Sequence, residues 1–332
     1  MHIFKHTNFD FLKWRIHAIA VSWAIIMAGA FVLFTRGIPL GIEFAGGTEI
    51  IEQFDNPTSI DQVRGPVVKA FGQDAIVQSF GDPTQREFLI RVPNVGAESG
   101  TALTSVADQV EGALRQSNVG GFKRLGTEIV GPAVGQELRS RALLATVFSL
   151  LGLLLYLAFR FQFSFGVGAV IATIHDLLIT LAFLAFFRYD MTLNVIAAIL
   201  TITGFSTNDT IVIFDRIREN LRSMRRDSLL HVINVSINQT LGRTVITSGT
   251  ALLTALALFF FGGEVLHGFA FTMIVGIITG TYSSVFIAAA IISFWRGSAP
   301  TRAAAHAPAT TLASAQQPQR KTKPQKKAAR AS

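Results

Sequence analysis

The chain has 332 residues, of which 50% are apolar and 15% charged, and its mean hydropathy is +0.45; it is too apolar for an ordinary water-soluble domain and points to an integral membrane protein. It has no cysteine, which excludes disulfides, thiol catalysis and thiolate metal sites. The net charge of +8 is no sign of nucleic-acid binding, because the excess sits beside apolar runs and in the tail, with no basic patch interleaved with stacking aromatics.

Residues 1–15 form a basic N-terminus carrying Lys5, Lys13 and Arg15. Six apolar runs follow, at 16–35, 142–159, 165–187, 191–214, 244–261 and 267–294. Each is long enough to cross a hydrocarbon core of about 30 Å, which takes about 20 helical residues. The first resembles a secretory signal, with Ala28-Gly29-Ala30 as a cleavage-like triplet. Its apolar character continues through Phe34, so it reads as an uncleaved signal anchor.

The insert 36–141 is mildly acidic and mixed in pattern, as a soluble domain should be. It predicts a strand at 47–54, then a helix at 59–71 entered by Pro57-Thr58. Strands at 75–80 and 87–92 are split by Gly81-Asp82-Pro83, and a helix at 101–116 and a strand at 122–130 complete it. The order β-α-β-β-α-β is that of the ferredoxin-like split fold.

Short flanking segments set the orientation. Lys and Arg cluster before the first run, at Arg160, at Arg216, Arg218, Arg222, Arg225 and Arg226, and from Arg296 onward. The opposite turns hold Arg188 with Asp190, and Glu264. Both termini are therefore expected in the cytosol and the insert outside. The segment 296–332 is rich in Ala, Pro, Gln, Thr and Lys without periodicity, so it reads as a disordered basic tail. Lys321, Lys323, Lys326, Lys327 and Arg330 fit anionic lipid, ribosomal RNA or plain solvation. The fold class is a polytopic α-helical membrane protein with six transmembrane helices and one external α+β domain.

The chemistry concentrates in the fourth and fifth runs. Asp209, beside Asn208, lies about 6–9 Å inside the edge at Phe214–Asp215. Acids within a span are costly and mark function. Arg243 opens the next run at a similar depth. Arg243, Thr247, Thr250 and Thr254 share one helical face; Ile202, Ser206, Asp209 and Ile213 share another, flanked by Thr203 and Thr210. Two such stripes suit a hydrated path for ion coupling; a static salt bridge between helices is the plainer alternative. His175-Asp176 lies about 15 Å deep, near the midplane. It suits a relay or a subunit contact, or simple helix-to-helix hydrogen bonding. Asp215, Arg216, Arg218 and Glu219 read as a solvated interfacial run. Ser248 and His175 are the intramembrane pair available for hydrolysis, and no nucleophile motif surrounds either. There is no Gly-x-x-x-x-Gly-Lys-Ser/Thr loop. No catalytic residue, metal or cofactor is expected, and any work must draw on a gradient or a partner.

Five segments carry a family resemblance: Gly41-Ile-Glu-Phe-Ala-Gly-Gly47, Val130-Gly-Pro-Ala-Val-Gly-Gln-Glu-Leu138, His175-Asp-Leu-Leu-Ile179, Asn208-Asp-Thr-Ile-Val-Ile-Phe-Asp-Arg-Ile-Arg-Glu219 and Thr240-Leu-Gly-Arg-Thr-Val-Ile-Thr-Ser248. In this order they resemble the SecF family, the smaller subunits of the bacterial SecD–SecF complex, within the resistance-nodulation-division superfamily. The likeness runs to about Trp295. Its motif positions are Gly41, Glu43, Gly46, Gly47, Gly131, Pro132 and Gly135, and Glu43 stands where the family more often has Asp.

The resemblance implies a bacterial inner-membrane protein with a periplasmic domain, paired with SecD about a pseudo-two-fold axis beside the SecYEG channel. It implies an unfolded preprotein as substrate, lipid as surroundings, and the proton motive force as the drive for late translocation and release. Asp209 and Arg243 match the family's coupling positions, with a further acid supplied by SecD. His175, Asp176, Asn208, Ser206 and Thr247 are candidates for relay or helix contact. Movement is expected to reach the external domain through the first span and the strand after it. The alternatives are half of a proton-coupled small-molecule or lipid exporter of the same superfamily, and a stabiliser without ion flux. Proton and sodium coupling are not separated.

Overall fold

The computed structural model describes residues 8–93, 100–160 and 163–297; Lys5 and the tail from 298 onward lie outside them. A 3-10 turn, Phe11–Trp14, is capped by Asp10 and leads into α1 (Arg15–Arg36). After a single helical turn, α2 (Ile42–Ala45), come β1 (Gly47–Phe54), α3 (Ile60–Phe71), β2 (Ile76–Phe80), β3 (Glu87–Val92), α4 (Gly100–Gln116) and β4 (Phe122–Val130). The strands form one antiparallel sheet in the order β2-β3-β1-β4. Alternation along β1 sends Ile50 and Phe54 to one face. There they meet Phe88 and Ile90 of β3, Val63 and Val67 of α3, and Val110 and Leu114 of α4, all buried. The opposite face carries Glu49, Ile51, Leu89, Arg91 and Glu128.

Five further segments build the bundle: α5 (Pro132–Arg160), α6 (Phe163–Phe187), α7 (Leu193–Ser223), α8 (Leu229–Phe261) and α9 (Glu264–Ser283). A π-helical turn, Ser284–Ala288, carries α9 into α10 (Ala289–Gly297). Among the described residues, six helices are long and apolar enough to span a membrane. Close approach comes from small residues. A Cβ on Gly276 would collide with Ile202, and one on Gly280 would lie 2.8 Å from the Ser206 Cβ, so α9 lies directly on α7. A Cβ on Gly29 would collide with Ala182, which seats α1 on α6.

Helices outlast their apolar runs. The helix expected from 142 begins at Pro132, the one expected to end at 214 reaches Ser223, and the one expected from 244 begins at Leu229. The external boundary expected at 141 therefore falls within α5. Hydropathy marks the hydrocarbon layer, whereas caps mark helix ends. Pro132 follows Gly131 at the first helical position. Ser228 caps α8 by accepting from the His231 N–H. The α7 extension is held by Asn220, whose amide donates to Ser236 and Gln239, both at 2.8 Å.

Candidate functional site

Two carboxyls sit inside the bundle, each 3% exposed: Asp176 on α6 and Asp209 on α7. Asp176 Oδ2 accepts from Ser206 Oγ of α7 and, at 2.8 Å, from Ser283 Oγ of α9; its Oδ1 lies 2.9 Å from His175 Nδ1. Asp209 Oδ2 accepts from Ser248 Oγ of α8 at 3.2 Å, and Ser248 accepts from Thr281 Oγ1 of α9 at 2.8 Å. Ser206 and Asp209 are three residues apart and share a face of α7, so the two clusters adjoin. Beside Asp176 is a cavity of about 10 Å³ lined by Thr173, Thr180, Thr203 and Ser206, the size of about one water.

Three consecutive residues of α9 point to three neighbours. Thr281 reaches Ser248; the Tyr282 hydroxyl donates to the Ala18 carbonyl of α1 at 2.7 Å; Ser283 reaches Asp176. The π turn follows at once, and such turns cluster at functional positions.

The face Ile202, Ser206, Asp209 and Ile213 is buried. The stripe on α8 is not turned toward it. Arg243, Thr250 and Thr254 are exposed, and Arg243 makes no ion pair among the described residues. Half-buried Thr247 donates to carbonyls of its own helix. The inward face of α8 instead carries Thr244 and Ser248. Among the described residues Asp209 and Arg243 form no ion pair, although Arg243 lies near enough to act on Asp209 through space; the direct hydrogen-bond partner of Asp209 is Ser248. Asn208 is exposed and stands apart from both clusters. His175 and Ser248 have separate partners, so no hydrolytic pair forms. His175 Nε2 and Thr244 Oγ1 are buried without a hydrogen-bond partner.

Sequence reasoning missed Ser248 and Ser283 as partners of the acids, and Thr281 as the partner of Ser248. The available signal was the Thr281-Tyr282-Ser283-Ser284 run, four hydroxyl side chains within an apolar segment. No group of three His, Cys, Asp or Glu side chains among the described residues is placed to hold a metal ion.

The motif glycines lie where the sheet domain adjoins the bundle. Gly46 and Gly47 have φ of 72° and 131°, backbone that favours glycine, and a Cβ on Gly47 would lie 2.5 Å from the Val92 carbonyl oxygen. A Cβ on Gly135, one turn after Pro132, would lie 3.4 Å from the Gly46 nitrogen, so α5 crosses the glycine pair closely; Gly135 N donates to the Gly131 carbonyl. Gly41 passes the α6–α7 turn, donating its N–H to the Met191 carbonyl at 2.8 Å. Glu43 accepts from the Leu193 N–H at the start of α7.

A family model described as "Protein export membrane protein SecD/SecF, C-terminal" matches residues 109–298, and a "SecD/SecF GG Motif" model matches 31–58. A protein translocase subunit SecF from Desulfurispirillum indicum is 41% identical over 86% of this chain and 91% of its own length. The SecF of Pseudomonas aeruginosa is 42% identical over 87% and 92%. A crystal structure of SecDF, described as a translocon-associated membrane protein from Thermus, superposes with a TM-score of 0.78 at 35% identity. It covers 90% of this chain, and this chain spans 40% of that protein's length. Together with six apolar spans and the motif positions in register, these matches place the chain: it is a multi-pass membrane protein and belongs to the SecF family of protein translocase subunits.

Proposed function

We propose that the chain works as a gradient-driven accessory subunit of protein export, using the proton motive force with a SecD partner. It would act beside SecYEG in the bacterial inner membrane, both termini cytosolic, with its βαββαβ unit a ferredoxin-like periplasmic domain. There it would promote late translocation and release of unfolded preproteins.

The observation that carries this reading is Asp209, buried in the bundle and hydrogen-bonded by a hydroxyl, with no direct ion pair among the described residues. A serine hydroxyl donates to a carboxylate and accepts from a carboxylic acid. When Asp209 is charged, Ser248 donates to it. When a proton arrives, Asp209 becomes the donor and the Ser248 proton is free to turn elsewhere. The link between α7, α8 and α9 therefore differs between the two protonation states, which is what coupling requires. Arg243, exposed on the outer face of α8, fits a carboxylate brought by a partner helix.

Asp209→Asn keeps the shape and removes the charge. Translocation of a stalled preprotein into energised inverted vesicles should lose its response to the gradient, with membrane insertion and partner pairing intact. An undiminished response would rule out the coupling role and leave a structural contact.

A further inference from the structure

The external domain reaches the bundle in three places. β4 passes into α5 with Gly131 alone between them, but α5 carries neither Asp176 nor Asp209. A second covalent route leaves α1 at Gly37, whose φ of 72° breaks the helix and whose surroundings are open space. Residues 34–38 are all exposed. A segment of this kind transmits little force.

The third passes through the turn between α6 and α7. Leu40 and Met191 form a parallel bridge, with Gly41 N donating to the Met191 carbonyl and Met191 N to the Pro39 carbonyl, both at 2.8 Å. This approach requires glycine at 41, since a Cβ there would lie 3.0 Å from the Met191 carbonyl oxygen and 2.9 Å from Thr192 Cγ2. Glu43 places its carboxylate at the first N–H of α7, where the helix dipole favours negative charge. From the sheet, Arg91 donates through Nη2 to Glu49 at 2.8 Å and to Asp190 at 3.0 Å, and through Nη1 to the Leu40 carbonyl at 3.3 Å. Its side chain is 10% exposed, so the ion pairs are largely shielded from solvent. Asp190 lies two residues before the α7 cap, Thr192. Beside these contacts, a cavity of about 340 Å³ separates sheet and helices. The clasp is therefore a set of discrete polar contacts and not a packed interface.

α7 then runs without a break from Leu193 past Asp209. Sixteen residues at 1.5 Å each put the acid about 24 Å from the clasp. We infer that Arg91 and Glu43 are positioning residues that fix the external domain to the external end of α7, so that α7 is the rod joining the Asp209 site to that domain. This rests on the coupling reading above. It replaces transmission through the first span, which the open segment after α1 does not support.

The test uses the full chain reconstituted with its partner. The native chain has no cysteine, so a Leu40→Cys/Met191→Cys pair is the sole thiol pair in this subunit. Paired strands lie about 4.8 Å apart, within disulfide reach. Cross-linking should be fast in the otherwise native chain and slower with Arg91→Gln. Arg91→Gln and Glu43→Ala should each lose most of the gradient-stimulated export. Glu43→Asp should retain it, and oxidising the cysteine pair should restore it to Arg91→Gln. Full export by Arg91→Gln overturns the inference. So does loss of export on oxidising the pair in the native background, which would mean that the clasp must open. If Asp209→Asn exports normally, the coupling reading fails and the rod with it, while the cross-linking rate still reports on the clasp. If Asp209→Asn fails and Arg91→Gln does not, only this inference falls.

Discussion

Glu52 in the sheet domain and Asp176 in the bundle are both carboxyls removed from water, at 0% and 3% exposure, yet they are treated in opposite ways. Asp176 is met by two serine hydroxyls and an imidazole from three helices. Neither oxygen of Glu52 has a hydrogen-bond partner among the described residues. A bulge in the β1–β4 ladder sets Arg124 opposite it, with Nε 4.0 Å from Oε1, but that guanidinium is already committed to Asp108 and Glu111. Burial pushes the Glu52 carboxyl from 4.5 up to about 7; Glu111 adds to the rise, and Arg124 and Arg115 offset only part of it. A buried acid with donors is a joint between elements. One without them is a store of unfavourable energy that a proton releases.

The sharpest way to break this contrast is Asp176→Ala, which strands three donors at once. It should cost about 3–5 kcal/mol, seen as a lower unfolding midpoint of the purified chain in detergent. A change below about 1 kcal/mol would mean that the cluster holds nothing together.

Glu52 should give the next largest effect, with a defined pH window. Its pKa in the folded state lies above its ordinary value, so the folded state binds the proton more tightly. Stability is full below about pH 4.5 and is lost as the pH climbs to about 7, by up to about 3 kcal/mol. Glu52→Met should flatten thermal unfolding of the sheet domain across that window and raise its midpoint at pH 8. An unchanged pH profile would show that Glu52 finds a partner on ionising.

Single donors sharpen the comparison on a smaller scale. Ser283→Ala removes one of three partners of Asp176, and about 1 kcal/mol should follow. A loss as large as that of Asp176→Ala would show that the donors act as one unit. The smallest effect belongs to Asp215→Asn. Its pair with Arg160 spans 3.2 Å, but both side chains are 43% exposed, so stability should change by less than about 0.5 kcal/mol and export should hold.

The two regions also differed in how far the chain could be read. The strands expected at 47–54, 87–92 and 122–130 coincide with β1, β3 and β4, because strand alternation and turn residues are local signals. Glu52 was not singled out, although it stands between Ile50 and Phe54 on the apolar face of that strand. In the bundle, Asp176 and Asp209 stood out by cost alone. Their partners did not, because lipid and protein are both apolar and periodicity cannot tell which side of α8 faces inward. Thr244 and Ser248 look inward, whereas the stripe through Arg243 looks out, a rotation of about one residue that no hydropathy pattern encodes.

The three contacts made by Thr281, Tyr282 and Ser283 also limit how the bundle can move. Successive helical residues diverge by about 100°, so these side chains act like teeth spaced around a shaft. They engage α8, α1 and α6 in turn. Turning α9 about its own axis by one tooth would disengage all three, so spin is locked. Tilt and sliding remain, and sliding is resisted where Gly276 and Gly280 lie against α7. A working stroke in this bundle is therefore best sought as the tilt of whole helices about a keyed central axle.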